Sequence, residues 1–284
     1  MKKEQTAKQN VTRTLAECAI LIALAVILSL IKLGKMPYGG SVTLASLLPI
    51  VLISYRHGPG WGLCCATVFG IVKQLLGLDN IFYLPSKTLG TVLIVVFFDY
   101  LIAFGVIGLA GVFRKIVKKQ TPALIAGCFA TCLLRLVCHV ISGVTVWSSY
   151  APENLGVFNY ALIYNAMFMV PETIVLCLAA LYIGQALDLS KPIPERAKKS
   201  EPVQTFTLRL VALGLIVAAV IYNVITLFSA MRDGEGSFSF AALGGKDVFF
   251  WLTVFVINAI VIIVSVFLLV LSHKTAHSSE KAER

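Results

Sequence analysis

The residues of this chain whose types could do chemistry lie inside apolar sequence. The stretch Val95-Val96-Phe97-Phe98-Asp99-Tyr100 places a carboxylate and a phenol in the middle of a hydrophobic run. A lipid-buried carboxylate costs several kcal/mol unless a partner compensates it, so Asp99 marks a functional site and requires a partner elsewhere in the chain. Further along, His139, Gly143 and Trp147 recur at i, i+4 and i+8, one stripe of a helix, and Tyr160 stands five residues before Asn165. A carboxylate, an imidazole, an amide and several aromatic rings around an apolar pocket suit a flat, cationic, hydrogen-bonding heterocycle. Its rings stack on aromatics, and its charge gains from the carboxylate and from cation–π contact. No P-loop, zinc-ligand spacing or nucleophile with its base is present. The chain is therefore read as a binding protein without enzymatic activity, cofactor or metal.

Each of these residues also has a plainer reading. Asp99 could pair with Lys73 or with Arg135, one turn before His139, as a structural ion pair. His139 could be an interhelical hydrogen-bond partner, and Trp147 and Tyr160 could be interfacial belt residues. A common depth and a common side favour a site. Glu17 is expected to reach water at the inner end of the first helix, and Glu172, after Pro171, to pair within the bundle. The seven cysteines all lie in apolar segments without metal-ligand spacing, and read as small core hydrophobes.

Composition identifies the solvent around these residues. With 58% hydrophobic and 13% charged residues and a mean hydropathy of +0.88, the chain is an integral membrane protein. Eight candidate segments follow, approximately 14–33, 43–55, 61–78, 86–113, 121–147, 158–187, 207–231 and 248–272, the second so short that it must be tilted or partly buried. The first follows basic residues as a signal peptide would, but its length and the lack of a small-x-small cleavage site favour an uncleaved helix. If the N-terminus is cytoplasmic, 16 of the 24 Lys and Arg residues fall on the inside and five on the outside. The positive-inside rule then places both termini in the cytoplasm, with Glu153 and Asp233 outside. The net charge of +10 is spread over short loops, which argues for topology and against nucleic acid. Residues 1–190 form one block of six segments, 191–206 a Pro- and charge-rich cytoplasmic linker, and 207–284 a further helical pair with a tail. Ala19 and Ala23 form a small-xxx-small pair on the first helix, which permits close approach of another helix.

Taken together, these motifs resemble the substrate-binding (S) components of energy-coupling factor vitamin importers, most closely the thiamine-specific family. The resemblance covers roughly residues 14–187. It rests on Glu17-x-Ala19-x-x-x-Ala23, on Tyr38-Gly39 leading to Leu48-Pro49-Ile50, and on Phe98-Asp99-Tyr100 followed by Gly108-Leu109-Ala110-Gly111. It rests further on His139-x-x-x-Gly143-x-x-x-Trp147 and on Tyr160 with Asn165. The resemblance implies a six-helix bundle around an outward-facing thiamine pocket in a bacterial plasma membrane. Asp99, His139, Trp147, Tyr160 and Asn165 would hold the ligand with Tyr100 beside them and, from a matching pocket tyrosine at a different spacing, Tyr83. Ala19 and Ala23 would dock a transmembrane coupling protein that carries two ATPase subunits. The sequence departs from the family in having Asp99 where Glu is also expected, in lacking a Trp after Gly39, and in carrying residues 207–272 beyond the six-helix core. The same machinery with a thiamine precursor or another cationic heterocycle, and a membrane sensor or stand-alone channel, remain alternatives at this point.

Overall fold

The computed structural model describes residues 2–36, 39–153, 155–197, 203–231 and 241–282. Tyr38 and Asp233 fall outside these residues. Among the described residues, seven helices are long and apolar enough to cross a bilayer. The molecule is an all-α membrane protein, and the chain separates into two compact units, Met1–Glu195 and Arg196–Arg284.

In the first unit, α1 (Lys2–Leu30) has 29 residues and at 1.5 Å per residue is about 43 Å long, more than the roughly 30 Å of hydrocarbon it must cross. Cys18, Ala25 and Ser29 face the bundle, while Ala16, Ala19 and Ala23 lie exposed on the opposite side. Next come the antiparallel strands β1 (Lys32–Lys35) and β2 (Ser41–Thr43), then the short helix α2 (Leu48–His57).

The stretch 43–55, expected as a membrane segment, is therefore strand, turn and a 10-residue helix of about 15 Å, too short to cross by itself. Non-helical backbone at such depth persists only when protein surrounds it. Here Val42, Leu47, Ile50, Val51 and Ile53 are almost fully buried.

A single residue, Gly58, joins α2 to α3 (Pro59–Leu76). Its φ of +91° is one that only glycine adopts without strain, and Pro59 starts the new helix where its missing N–H costs nothing. The next helix, α4 (Leu89–Ile116), is not regular. It widens into a π turn at Val96–Leu101 and tightens into a 3₁₀ stretch at Val106–Val112. Ser54 of α2 stitches the tightened part: its Oγ donates to the Gly108 carbonyl at 2.5 Å and accepts from the Gly111 N–H at 2.7 Å. That contact requires the glycines, because a Cβ on Gly62 or Gly108 would collide with backbone of the other helix.

Helices α5 (Gln120–Thr145) and α6 (Val157–Ala186) complete the first unit. Its core is a continuous cluster that includes Ile50, Phe69, Ile107, Leu124 and Leu176. Five of the seven cysteines are buried, Cys177 is half-buried and Cys64 is exposed. At one end of the bundle Arg56 ties several segments together. Its guanidinium pairs with Glu17 of α1 and donates to the carbonyls of Leu189 at 3.0 Å and Pro192 at 3.0 Å. Arg114 of α4 donates to the Tyr55 carbonyl at 3.0 Å on the same side. Glu17, expected to point into water, is instead half-buried between Arg56 and His57.

In the second unit, α7 (Val203–Ala230) packs on α8 (Val248–Ala282). Asn223 and Asn258 exchange amide hydrogen bonds of 2.7 and 3.0 Å, which satisfies two polar groups that lipid could not solvate and fixes the register of the pair.

Replacing Gly108 by Val should lower the thermal stability of the detergent-solubilised protein by about 1–3 kcal/mol or prevent folding, the cost of overpacking a closed contact. Gly60→Ala, where a Cβ meets nothing within 4 Å, should leave the melting temperature within experimental error.

Candidate functional site

A cavity of about 190 Å³ opens within the first unit. That is more than ten times the roughly 10–15 Å³ that one water needs, so it has room for a small organic molecule. Its walls are built by α3, α4, α5 and α6 together with the end of α1 and the β1–β2 hairpin.

The π turn of α4 sets the first wall. An α-helix separates successive side chains by 100°, so Asp99 and Tyr100 would diverge; the wider turn lets Val95, Asp99, Tyr100 and Phe104 share one face. Behind Tyr100 the backbone of α3 approaches closely at Gly70 and Gly77, where a Cβ would meet the Tyr100 carbonyl and hydroxyl. Asn80 donates to the Tyr100 hydroxyl at 2.8 Å, which fixes the phenol.

Asp99 finds its partners on α5. The His139 Nδ1–H donates to Oδ1 at 2.8 Å and the Ser142 hydroxyl to Oδ2 at 2.6 Å. Both oxygens are thus held, and the imidazole is oriented by the carboxylate. His139 Nε2 is buried with no hydrogen-bond partner among the described residues. The ring stands edge-on to Phe168 with centroids 6.1 Å apart.

Helix α6 supplies an aromatic ladder at i, i+4 and i+8: Tyr160 and Tyr164 lie 5.9 Å apart, Tyr164 and Phe168 6.2 Å apart. Asn165, between the rungs, is buried and donates to the carbonyls of Ala161 at 2.8 Å and His139 at 3.4 Å. Gly143 allows α6 to come this near, since a Cβ there would press on Ala161. Trp147 lines the cavity and stands 6.1 Å from the Tyr150 ring.

A second carboxylate lies deeper. Glu172 pairs with Arg135 at 2.5 Å and accepts from Thr43 at 2.6 Å, and the Arg135 guanidinium lies 4.6 Å from the Phe104 ring centroid. The side chains of the pair are only 7% and 4% exposed, so in this low dielectric each charge depends on the other. Lys73 and Lys32 also border the cavity. Desolvation against the wall and the nearby Lys35 hold the Lys32 ammonium below its ordinary value.

Of the residues singled out from sequence, Asp99, Tyr100, His139, Gly143, Trp147, Tyr160 and Asn165 all border this one cavity. Tyr83 does not: it is about half exposed at the end of a short 3₁₀ turn after α3, and its carbonyl accepts from the Tyr150 hydroxyl at 2.7 Å. The stripe of α5 also ends early, because the helix stops at Thr145 and Trp147 is carried into the cavity by the turn that follows. The ion pair envisaged for Asp99 is formed differently: Arg135 belongs to Glu172. The roles of Ser142, Asn80, Thr43 and Phe168 were not read from sequence, and Lys73, considered as a partner of Asp99, lines the cavity while Asp99 pairs with His139 and Ser142. Only Tyr164 and Phe168 carried a usable signal, the i+4 spacing from Tyr160.

The profile of the thiamine transporter protein family matches residues 15–191. The chain belongs to the thiamine transporter family. Within it, the thiamine transporter ThiT of Bacillus subtilis (strain 168) is 36% identical over 192 residues, which cover 62% of this chain and 95% of that protein. A solved structure of ThiT from Listeria monocytogenes aligns with 60% of this chain and 92% of its own, at 23% identity and a TM-score of 0.49. The matched residues contain every cavity-lining side chain, and the α7–α8 pair lies beyond them.

Glu172→Gln leaves the Arg135 charge buried without its counter-ion and should cost about 3–5 kcal/mol of stability. Replacing the pair together, Arg135→Met with Glu172→Leu, should recover most of that loss in a thermal unfolding series. A double variant as unstable as the single one would show that the pair itself is not what Glu172 contributes.

Proposed function

We propose that this protein binds thiamine in the cavity and serves as the substrate-binding subunit of an ATP-driven importer of the energy-coupling factor type. The observation that carries the reading is the Asp99 carboxylate held between His139 and Ser142 at the wall of a cavity lined by aromatic rings. Thiamine is a cation with two flat rings, one of which presents an amine and ring nitrogens. The carboxylate favours the positive ring, the Tyr160–Tyr164–Phe168 ladder and Trp147 favour both faces, and Asn165 and His139 suit the polar edge. Membership of the thiamine transporter family and the 36% identity to the Bacillus protein support the same substrate.

The chain contributes no reacting group to this process, and ATP hydrolysis belongs to separate partner subunits. Docking of a transmembrane coupling protein is assigned to the exposed Ala19–Ala23 face of α1, where small side chains let a second helix approach closely. The membrane is assigned as the bacterial plasma membrane with both termini cytoplasmic, supported by the 16 basic residues on the inner side. The Arg56 and Arg114 cluster then marks the inner end, and the cavity opens outward. A cysteine introduced at position 153 should react with an impermeant thiol reagent on intact cells.

Asp99→Asn keeps the size of the side chain and removes its charge. It should weaken thiamine binding by about 2–4 kcal/mol in calorimetric titration, the cost of losing one partner of a desolvated charge pair. Binding of an uncharged analogue of the same shape should fall far less; equal losses would sink the electrostatic role of Asp99. Mass spectrometry of small molecules released from the purified protein should find thiamine. Ala19→Trp with Ala23→Trp should retain binding and abolish uptake, whereas loss of both would assign the alanines to internal packing.

A further inference from the structure

Glu17 opens the run Glu17-x-Ala19-x-x-x-Ala23 on α1, yet it does not line the cavity. Its carboxylate is gripped by Arg56 of α2: Nε donates to one oxygen, and Nη2 donates to the other at 3.0 Å. The same guanidinium donates from Nη1 to the carbonyls of Leu189 at 3.0 Å and Lys191 at 3.2 Å, and from Nη2 to that of Pro192 at 3.0 Å. All five N–H donors of Arg56 are thereby used, on a side chain 6% exposed. Arg13, one turn before Glu17 on the same face of α1, also donates to the Pro192 carbonyl, at 2.6 Å. Gln120 at the start of α5 anchors the same segment, donating to the Leu187 carbonyl at 2.6 Å and accepting from the Leu189 N–H at 2.9 Å. The result is a clasp of α1, α2, α5 and residues 187–192 with Arg56 at its centre.

What the clasp controls is the rotation of α1 about its own axis. Of the five spanning helices in the first unit, α1 has the smallest buried share, and its inward stripe, Cys18, Ala25 and Ser29, carries only small side chains. Such side chains form shallow ridges, which resist the turning of one helix on another less than large ones do. At about 100° per residue, Glu17 stands about 100° to one side of that stripe, and Ala19 and Ala23 stand about 100–140° to the other. The directional contact at Glu17 therefore decides where the exposed alanines point. We propose that Arg56 is a positioning residue for coupling: its grip on Glu17 and on residues 189–192 sets the rotation of α1 at which Ala19 and Ala23 face the transmembrane partner. This assignment rests on the docking reading of those alanines. A lysine cannot take the same place, because an ammonium has three donors and no planar fork. None of the clasp residues lines the cavity, so ligand binding does not depend on it.

The experiment follows the full chain in three ways: thiamine affinity by calorimetry, labelled-thiamine uptake in the native host with its chromosomal copy deleted, and the ATPase subunits that co-purify with it. Arg56→Gln should leave the dissociation constant for thiamine within about twofold of wild type. Its uptake and its co-purified ATPase should fall at least about tenfold, because a turned α1 no longer offers the close approach that small residues permit. Glu17→Gln should behave in the same way, and Arg56→Lys should resemble Arg56→Gln more than wild type. Spin labels report the rotation directly, one on the exposed native Cys64 of α3 and one on Ile20→Cys at an exposed position of α1, in a Cys177→Ser background. With thiamine bound, the wild-type clasp should give one narrow distance distribution, and Arg56→Gln a broad or displaced one. Uptake that survives in Arg56→Gln, or an unchanged distance distribution, would overturn the proposal and leave the docking reading intact. Loss of thiamine binding together with uptake would assign Arg56 to folding of the bundle and overturn it too. Wild-type protein that imports thiamine but co-purifies with no ATPase subunit would overturn the docking reading, and the proposal with it.

Discussion

Two carboxylates inside a membrane bundle govern this structure, because neither can be ionised in hydrocarbon without partners brought from other segments. Asp99 draws His139 and Ser142 of α5 to α4, and Glu172 of α6 draws Arg135 of α5 and Thr43 of the hairpin. Three segments, α4, α6 and the β1–β2 hairpin, are thus fixed around α5 by charge and hydrogen bonding, before any contribution from apolar packing. The cavity forms where these compensations meet, so groups that fix the helices also line its wall.

The backbone obeys the same constraint in a different form. Peptide groups that leave regular helix within a membrane protein must find partners in protein. Ser54 supplies them to the tightened turn of α4, with one hydroxyl serving both Gly108 and Gly111. The β1–β2 hairpin satisfies its own, and its apolar residue Val42 is fully buried. Glycines at 62, 108 and 143 bring backbones into contact where any side chain would hold them apart. The π turn then uses one extra residue to turn both Asp99 and Tyr100 into the cavity.

The α7–α8 pair follows another logic. Most of its large exposed side chains are apolar, and the polar contacts between its helices include a reciprocal amide pair, Asn223 with Asn258, and the Thr205–Thr275 hydroxyl contact at 2.9 Å. Such a pair fixes register in a helical hairpin whose leucines, valines and isoleucines would pack in several registers equally well. It lies outside the residues shared with the thiamine transporter family.

The sequence by itself determined the solvent, the helical class and most of the cavity. Long apolar runs favour spanning helices, and a polar side chain within such a run is costly, so Asp99, His139 and Asn165 were legible together through their common depth and side. Spacing at i+4 aligned His139 with Gly143 because helical geometry is local. Partner choice is not local. Whether Arg135 serves Asp99 or Glu172 depends on how α6 lies against α5, and periodicity within one helix carries no information on that. The stretch 43–55 was apolar enough to read as a membrane helix, yet burial among neighbouring helices lets it fold as strand, turn and short helix. The π turn seats Tyr100 against Gly70 of α3 and Gly77 just after it, and Glu172 of α6 takes Arg135 of α5. Those features are sums over contacts between distant segments, and only the tertiary structure decided them.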